Sequence, residues 1–341
     1  MAQGAATIHA RDSGLSARAR LAVTVALLAL AIAAPFVLYP VFLMKALCFA
    51  LFACAFNLLI GYVGLLSFGH AAYFGTAAYI TAYAAKAWGL EPLTSIILGT
   101  AVAAALGTVF GWLAIRRQGI YFAMVTLALA QMVYFVALQA KFTGGEDGIQ
   151  AVPRGYLLGF VDLGHPLTMY YFVLAIFLIG FGIIYRTIDS PFGQVLKAIR
   201  ENEPRTISLG YKTDRYKLLA FILSATLAGL AGSTKSLVFQ LASLTDVQWQ
   251  MSGEVVLMTL LGGLGTVLGP VAGAFISISM ENYLAQYGSW VTVIQGAIFV
   301  VCVLTFRRGV VGEIIELARR RRVVSATPPP GEPVARPAPG E

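Results

Sequence analysis

The stretch Ser190–Lys217 reads SPFGQVLKAIRENEPRTISLGYKTDRYK and is the longest strongly charged run in the chain. It lies between two long apolar segments, so in a bilayer protein it must face water. Its excess of Lys and Arg favours the cytoplasmic side. Asp189 or Ser190 can cap a helix that has Pro191 at its first position, while Pro204 and Gly210 predict the ends of two short helices.

The first of these helices carries an apolar stripe at helical spacing, formed by Val195, Leu196 and Ile199. Two interpretations remain open from the residues alone. A pair of short helices with an apolar stripe and a charged rim suits docking onto another protein. A loop that only fixes membrane topology and lies on lipid headgroups would carry similar charges.

The composition is that of a membrane protein. Of the 341 residues, 58% are hydrophobic and 12% are charged, whereas soluble domains carry about 25% charged residues. Since one bilayer crossing needs about 20 apolar residues, the sequence predicts an all-α, polytopic bundle of transmembrane helices. Basic residues near both termini and in the charged stretch explain the net charge of +8, so no nucleic-acid partner is expected. Three cysteines lie in apolar runs and are expected to be buried thiols: Cys48, Cys54 and Cys302.

Apolar runs predict about ten membrane crossings, at residues 21–39, 41–60, 61–88, 93–115, 120–138, 169–185, 218–239, 251–262, 265–284 and 290–306. The run 251–262 is too short for an ordinary crossing and is expected to be tilted or partly re-entrant. An even number of crossings leaves both termini in the cytoplasm, beside the basic residues that flank the first and last runs. The first run has a cleaved signal peptide as its alternative, but its length and polar leader favour a retained anchor.

This pattern divides the chain into four parts. Residues 1–20 are a cytoplasmic leader, and residues 21–306 form the membrane domain with the charged loop 190–217 inside it. Residues 307–322 are predicted to form a basic cytoplasmic helix. The Pro-rich tail 323–341 is expected to be disordered.

A weak internal sequence similarity relates the two halves of the membrane domain. The recurring positions are Gly61, Gly64 and Gly69 in the first half and Gly262, Gly265 and Gly269 in the second. Transporters are often built from related halves, but glycine-rich packing segments also arise independently.

The sequence carries no Walker P-loop, no HExxH motif and no zinc-ligand cluster. The chain is therefore not expected to be an enzyme or to hold a metal or cofactor. Any transport must draw energy from an ion gradient or from a partner. Four polar residues are candidates for lining a translocation path: Asn57, Ser67, His70 and Glu254. A histidine bonded only to the backbone is the alternative for His70, and solvation near an interface is favoured for Lys235 and Glu254.

The polar stretch 139–167 has few basic residues and many turn formers, which predicts an outward-facing loop. It contains TGGEDGI, Thr143–Ile149, where flexible glycines flank two carboxylates. This segment is either a turn-rich connection or an outer gate and landing site for a delivery protein.

Several long motifs occur in a fixed order along the chain: NLLIGYVGLLSFGHAAYFG, TGGEDGI, SPFGQVLKAIRENEPRTISLGY, YKLLAFILSATLAGLAG and GEVVLMTLLGGLGTVLGPVAGA. Over these motifs, about residues 40–312, the chain resembles LivM-type permeases of branched-chain amino acid ABC importers, a group that includes urea and amide permeases. The resemblance implies an ATP-driven importer in the bacterial inner membrane. A periplasmic binding protein would deliver a small amino acid, a LivH-type permease would pair with this chain, and two ATPase subunits would carry ATP and Mg²⁺.

The resemblance also assigns roles to residues. A cytoplasmic coupling helix would dock onto the ATPase through Val195, Ala198, Ile199, Arg200, Glu201, Asn202, Glu203, Pro204, Arg205 and Gly210. The outer gate or binding-protein contact would comprise Thr143, Gly144, Gly145, Asp147 and Gly148. The late acidic residue of the family falls on Glu254.

One segment departs from the family pattern. After Gly232 the chain reads STKSLVFQLASLTDVQW, with Lys235 and without the usual proline. A urea, amide or small organic anion is therefore an alternative substrate. An ion-coupled secondary carrier and a structural subunit of a membrane enzyme complex are the alternatives from other functional classes.

Overall fold

The computed structural model describes residues 25–26, 28–157, 159, 161–305, 309 and 312–313. The predicted leader, the Pro-rich tail and nearly all of the predicted basic helix lie outside these residues. Residues 28–33 are helical, and the α-helices that follow are α1 Pro40–Tyr62, α2 His70–Ala87, α3 Pro92–Ala114, α4 Ile120–Gln139, α5 Pro166–Asp189, α6 Pro191–Glu201, α7 Glu203–Ser208, α8 Thr213–Phe239, α9 Trp249–Gly262, α10 Gly269–Leu284 and α11 Val291–Thr305. Short strands lie at β1 Ile149–Gln150, β2 Tyr156–Leu157, β3 Val161–Asp162 and β4 Leu241–Ala242.

The predicted all-α membrane bundle is confirmed. Five of the described helices are long and apolar enough to cross a bilayer, namely α1, α3, α4, α5 and α8. The crossing predicted at 61–88 begins later than expected, because α1 continues to Tyr62 and a turn at 63–69 precedes α2. Gly64 permits this turn with a φ of +83°, which side chains with a Cβ rarely adopt. The short run 251–262 corresponds to α9, which pairs with α10 as a tight helical hairpin.

The middle of the bundle is built on small residues, as the Gly- and Ala-rich composition of α2 predicts. In α1, 89% of the most apolar window is buried, against 28% in α4, so α1 is central and α4 is peripheral. A Cβ on Gly232 of α8 would lie 2.0 Å from the Phe74 carbonyl oxygen of α2. A Cβ on Gly229 would lie 2.3 Å from the Ala103 Cβ of α3. Glycine at these positions lets α8 approach both neighbours.

One end of the bundle carries α6 and α7, which together we call the elbow, residues 191–208. Ser190 begins it as a cap, because its Oγ accepts a hydrogen bond from the Gly193 N–H at 3.3 Å. Asn202 caps α7 by accepting from the Arg205 N–H at 3.1 Å. The sequence predicts that Pro204 ends the first helix. In the structure the break falls at Asn202, and Pro204 lies in the first turn of α7, where its missing N–H is not needed.

The opposite end, which we call the loop end, is held together by backbone pairing. Strands β1 and β4 are antiparallel, with Ile149 opposite Ala242, and β2 and β3 form a separate antiparallel pair. The β1–β4 pair joins the loop after α4 to the segment after α8. The predicted outward loop is therefore fixed to the bundle by backbone hydrogen bonds.

Candidate functional site at the elbow

The apolar stripe of α6 faces the bundle rather than solvent. Leu196 is 0% exposed and Ile199 is 4% exposed, while Val195 is half-buried. The stripe therefore packs against the chain's own bundle, and docking of a partner through it stays a prediction. Periodicity identified the face correctly, but the helix needs that face to pack against its own bundle.

A second apolar surface on the elbow end was missed by the sequence reasoning. Ile207, Leu209 and Tyr211 are 54%, 70% and 42% exposed. Exposed charged side chains surround it, at Glu201, Arg205, Lys212 and Arg215. The available signal was the run of large apolar residues in and directly after a six-residue helix, which is too short to bury them all.

The residues predicted to dock fall into three groups. Those on the surface are Ala198, Arg200, Glu201, Asn202, Pro204, Arg205 and Gly210. Val195 and Glu203 are half-buried, and Ile199 is buried. Direct contact of these residues with an ATPase stays a prediction.

Glu203 uses its carboxylate inside the chain. Its Oε1 accepts a hydrogen bond from Thr213 Oγ1 at 3.1 Å and pairs with the buried Lys217 ammonium. Its Oε2 accepts from Gln118 Nε2 at 3.2 Å. Glu203 therefore fastens α7 to the start of α8 and to the connection between α3 and α4.

Three of the four predicted path residues lie inside the bundle. His70 Nε2 is 2.8 Å from Ser224 Oγ, and Ser224 in turn donates to the Ala55 carbonyl at 2.5 Å. Ser67 Oγ accepts from the Gly69 N–H at 3.2 Å. These bonds link α2 to α8 and α1.

The other path residue, Glu254, lies exposed on α9. Lys235 differs from expectation. Its ammonium is buried against Asp246, with 2.7 Å from Nζ to each carboxylate oxygen. Interfacial solvation of Lys235 is therefore wrong. The carboxylate of Asp246, eleven residues along the chain, takes the place of water as the partner of the buried ammonium.

The predicted outer motif is a backbone structure with two exposed carboxylates, those of Glu146 and Asp147. Thr143 is buried and its Oγ1 lies 2.6 Å from both the Ala137 and Ala140 carbonyl oxygens, close enough to donate to either. A Cβ on Gly148 would lie 2.3 Å from the Ala242 carbonyl oxygen, and Gly148 has a φ of +67°. Gly144 and Gly145 also have positive φ. Asp147 lies exposed at the tip.

Within the described residues, no group of three or more His, Cys, Asp or Glu side chains could hold a metal ion.

Comparison with known proteins gives consistent matches over most of the chain. LivM, the high-affinity branched-chain amino acid transport system permease protein of Escherichia coli K12, is 26% identical over 306 residues, which cover 82% of this chain and 72% of LivM. Its Salmonella typhimurium counterpart is 26% identical over 271 residues, 73% of this chain and 64% of the relative.

A more distant relative is LsrC, the autoinducer 2 import system permease protein of Klebsiella pneumoniae. It is 28% identical over 199 residues, 55% of this chain and 54% of LsrC. No solved structure matches the chain.

The family model described as branched-chain amino acid transport system / permease component matches residues 39–303. That range includes α1 to α10, the elbow and most of α11. The resemblance to LivM-type permeases noted from the motifs is thereby confirmed, and the chain belongs to the family of permease components of branched-chain amino acid transport systems.

Proposed function

We propose that this chain is the permease subunit of an ATP-driven importer in the bacterial inner membrane. It passes a small amino acid of the branched-chain type from a periplasmic binding protein into the cytoplasm. A second, LivH-type permease completes the membrane part, and two ATPase subunits bind ATP and Mg²⁺. The elbow end and both termini face the cytoplasm.

The exposed apolar surface of Ile207, Leu209 and Tyr211 carries this proposal. Large apolar side chains that stay exposed beside charged residues, at the aqueous end of a membrane bundle, are typical of a protein contact. The apolar stripe of α6, by contrast, is packed against the bundle. The proposed ATPase contact is therefore centred on α7 and the residues that follow it, rather than on the stripe of α6.

The proposed mechanism follows from how the elbow is attached. Closure of the ATPase dimer on ATP displaces the elbow, and the elbow displaces the helices bonded to it. The central path between the two permeases then switches between inward- and outward-facing states. Such coupling requires an element with two arrangements that both ends can bias.

The substrate class rests on the family and on its LivM-type members. The anionic alternative was suggested by Lys235, but that ammonium is neutralised by Asp246 and buried. No free cation is therefore offered by Lys235 to an anionic ligand. Because the chain is also similar to LsrC, autoinducer 2 should be tested as a second solute, in competition with leucine.

The test is reconstitution of this chain in liposomes with the second permease, ATPases and binding protein encoded beside it. ATP-dependent accumulation of radiolabelled leucine that excess isoleucine suppresses, and autoinducer 2 does not, supports the proposal. Uptake by this chain alone under an ion gradient would identify a secondary carrier instead. Absence of any solute flux would favour a structural subunit.

A single substitution tests the proposed docking surface. Leu209→Glu puts a charge into the centre of the apolar surface, so the ATPases should no longer copurify while the chain still inserts. Gln194→Glu adds the same charge at an exposed position of α6 outside that surface and should have no effect. Equal copurification of the ATPases with both variants would exclude the surface as the contact.

A further inference from the structure

The C-terminal end of α1 is clamped to the hairpin between α9 and α10 by Asn57. Its Nδ2 donates to the Thr266 carbonyl at 2.9 Å, and its Oδ1 accepts from the Gly265 N–H at 3.0 Å. Asn57 is buried, so these two bonds satisfy an amide that would otherwise be costly to bury. A residue near the end of the first half therefore holds the turn 263–268 of the second half.

The end of α1 lies directly against the turn 263–268 because glycine stands at the contact. A Cβ on Gly61 would lie 2.8 Å from the Gly265 backbone nitrogen. Gly64 and Gly265 have φ values of +83° and +74°, so other residues would strain both turns. Gly61 of the first half thus meets Gly265 of the second half in space.

Arg200 of the elbow reaches this meeting point. Its guanidinium Nη1 donates to the carbonyl oxygen of Gly61. The Arg200 Cγ lies 3.2 Å from the position of a Cβ on Gly64, and Nη1 lies 3.1 Å from that of a Cβ on Gly265. One side chain therefore contacts both glycine turns.

The bond to Gly61 has a clear physical basis. The last carbonyl groups of a helix have no partner within the helix, and a cation there also complements the helix dipole. Arg200 supplies both the hydrogen bond and the charge at the end of α1. A planar guanidinium with several donors can do this while its stem packs over Gly64, whereas lysine offers one ammonium on a flexible stem.

The elbow is thus attached at two separate places. Arg200 bonds it to α1 beside the hairpin of α9 and α10, and Glu203 bonds it to α8. We propose that Arg200 is a positioning residue that transmits displacement of the elbow to the two glycine turns, rather than a contact for the ATPase. This inference rests on the proposed function and identifies the contact through which the elbow acts on the membrane helices.

The first test uses the complete reconstituted complex. In Arg200→Ala the ATPases should copurify as in the wild type and keep hydrolysing ATP, while leucine uptake falls about tenfold or more. Arg200→Lys should recover part of the uptake, because its ammonium keeps the positive charge and can still donate a hydrogen bond, although it lacks the planar guanidinium. Arg205→Ala, at an exposed position of α7, is the matched control. If this change lowers uptake, it should lower ATPase copurification as well, because Arg205 belongs to the predicted docking residues.

The second test measures the link without transport. Spin labels at Ala198 of α6 and Leu264 of the hairpin turn, in a variant without native cysteines, report the distance between the elbow and the turn. In the wild type this distance should be narrow and the same with and without trapped ATP. In Arg200→Ala it should broaden and change with nucleotide.

Loss of ATPase copurification in Arg200→Ala would overturn the inference, since Arg200 would then be a docking residue. Unchanged uptake, or an unchanged distance distribution, would overturn it as well. A wild-type complex without ATP-dependent uptake would instead refute the proposed function. The distance measurement on this chain would still decide whether Arg200 links the elbow to the turn.

Discussion

Lys235 and Asp246 form a bidentate ion pair with 2.7 Å from Nζ to each carboxylate oxygen, and the two residues are only 8% and 1% exposed. Asp246 Oδ2 also accepts from the Ser243 N–H at 3.2 Å. The pair therefore fixes the turn Leu244–Asp246 to the last turns of α8. It lies beside β4, which pairs with the strand that follows the outer motif.

We expect Asp246→Asn to destabilise the protein strongly. Removing one partner of a buried ion pair leaves the other charge uncompensated, which typically costs roughly 3–5 kcal/mol. Thermal unfolding in detergent measures the effect. Replacing both partners, as in Lys235→Met with Asp246→Leu, should be less damaging than the single change, because no buried charge is left.

The Lys45–Glu281 pair provides the matched control. Its Nζ–Oε1 distance is also 2.7 Å, but the two side chains are 26% and 46% exposed. Water can solvate either charge after Glu281→Gln, so the melting temperature should fall much less than in Asp246→Asn. Equal shifts in the two variants would show that burial does not decide the strength of the Lys235 pair.

A second prediction concerns the attachment of the elbow through Glu203. In Glu203→Gln the buried Lys217 loses its counter-charge, so α7 should be cleaved faster in limited proteolysis and leucine uptake should fall. Glu201→Gln removes the same charge from an exposed position of α6 and should leave proteolysis unchanged. Identical cleavage of the two variants would contradict an internal role for Glu203.

The sequence predicts those features that depend on local chemistry. Composition and run length predict the helical membrane bundle, and the Ser-Pro start of α6 predicts its cap. The small residues of α2 predict its place inside the bundle. Each of these follows from residues close together in the chain, so a single sequence suffices.

Polar partners could not be predicted in the same way. Arg200 meets Gly61 across 139 positions, and His70 meets Ser224 across 154, so each bond depends on how helices pack. Periodicity likewise identified the stripe with Leu196 and Ile199, but could not say whether it faces a partner or its own bundle. Lys235 was misjudged because the charge that neutralises it lies on the turn that follows its helix.

Close packing of α2 and α8 gives a third prediction. In Gly232→Ala the new Cβ would lie 2.0 Å from the Phe74 carbonyl oxygen, and a backbone atom cannot move aside as a side chain can. We expect lower yield of folded protein and a lower melting temperature. Gly182→Ala is the control within α5, where nothing lies within 4 Å. Alanine there should be neutral or stabilise the helix by up to about 1 kcal/mol. A stable Gly232→Ala variant would show that α2 and α8 can separate without loss.

The last prediction concerns the outer motif. It distinguishes the role of the exposed Asp147 carboxylate from the backbone conformation that Gly148 must adopt. Asp147→Ala should weaken the stimulation of ATP hydrolysis by the binding protein, with basal hydrolysis and thermal stability unchanged, because Asp147 is exposed at the loop end. Gly148→Ala should lower stability and both rates, since its φ of +67° and the Ala242 carbonyl oxygen 2.3 Å from a new Cβ leave no room for a side chain. Titration of the reconstituted complex with binding protein separates the two. Parallel loss of basal and stimulated hydrolysis in Asp147→Ala would assign that carboxylate to the fold of the loop.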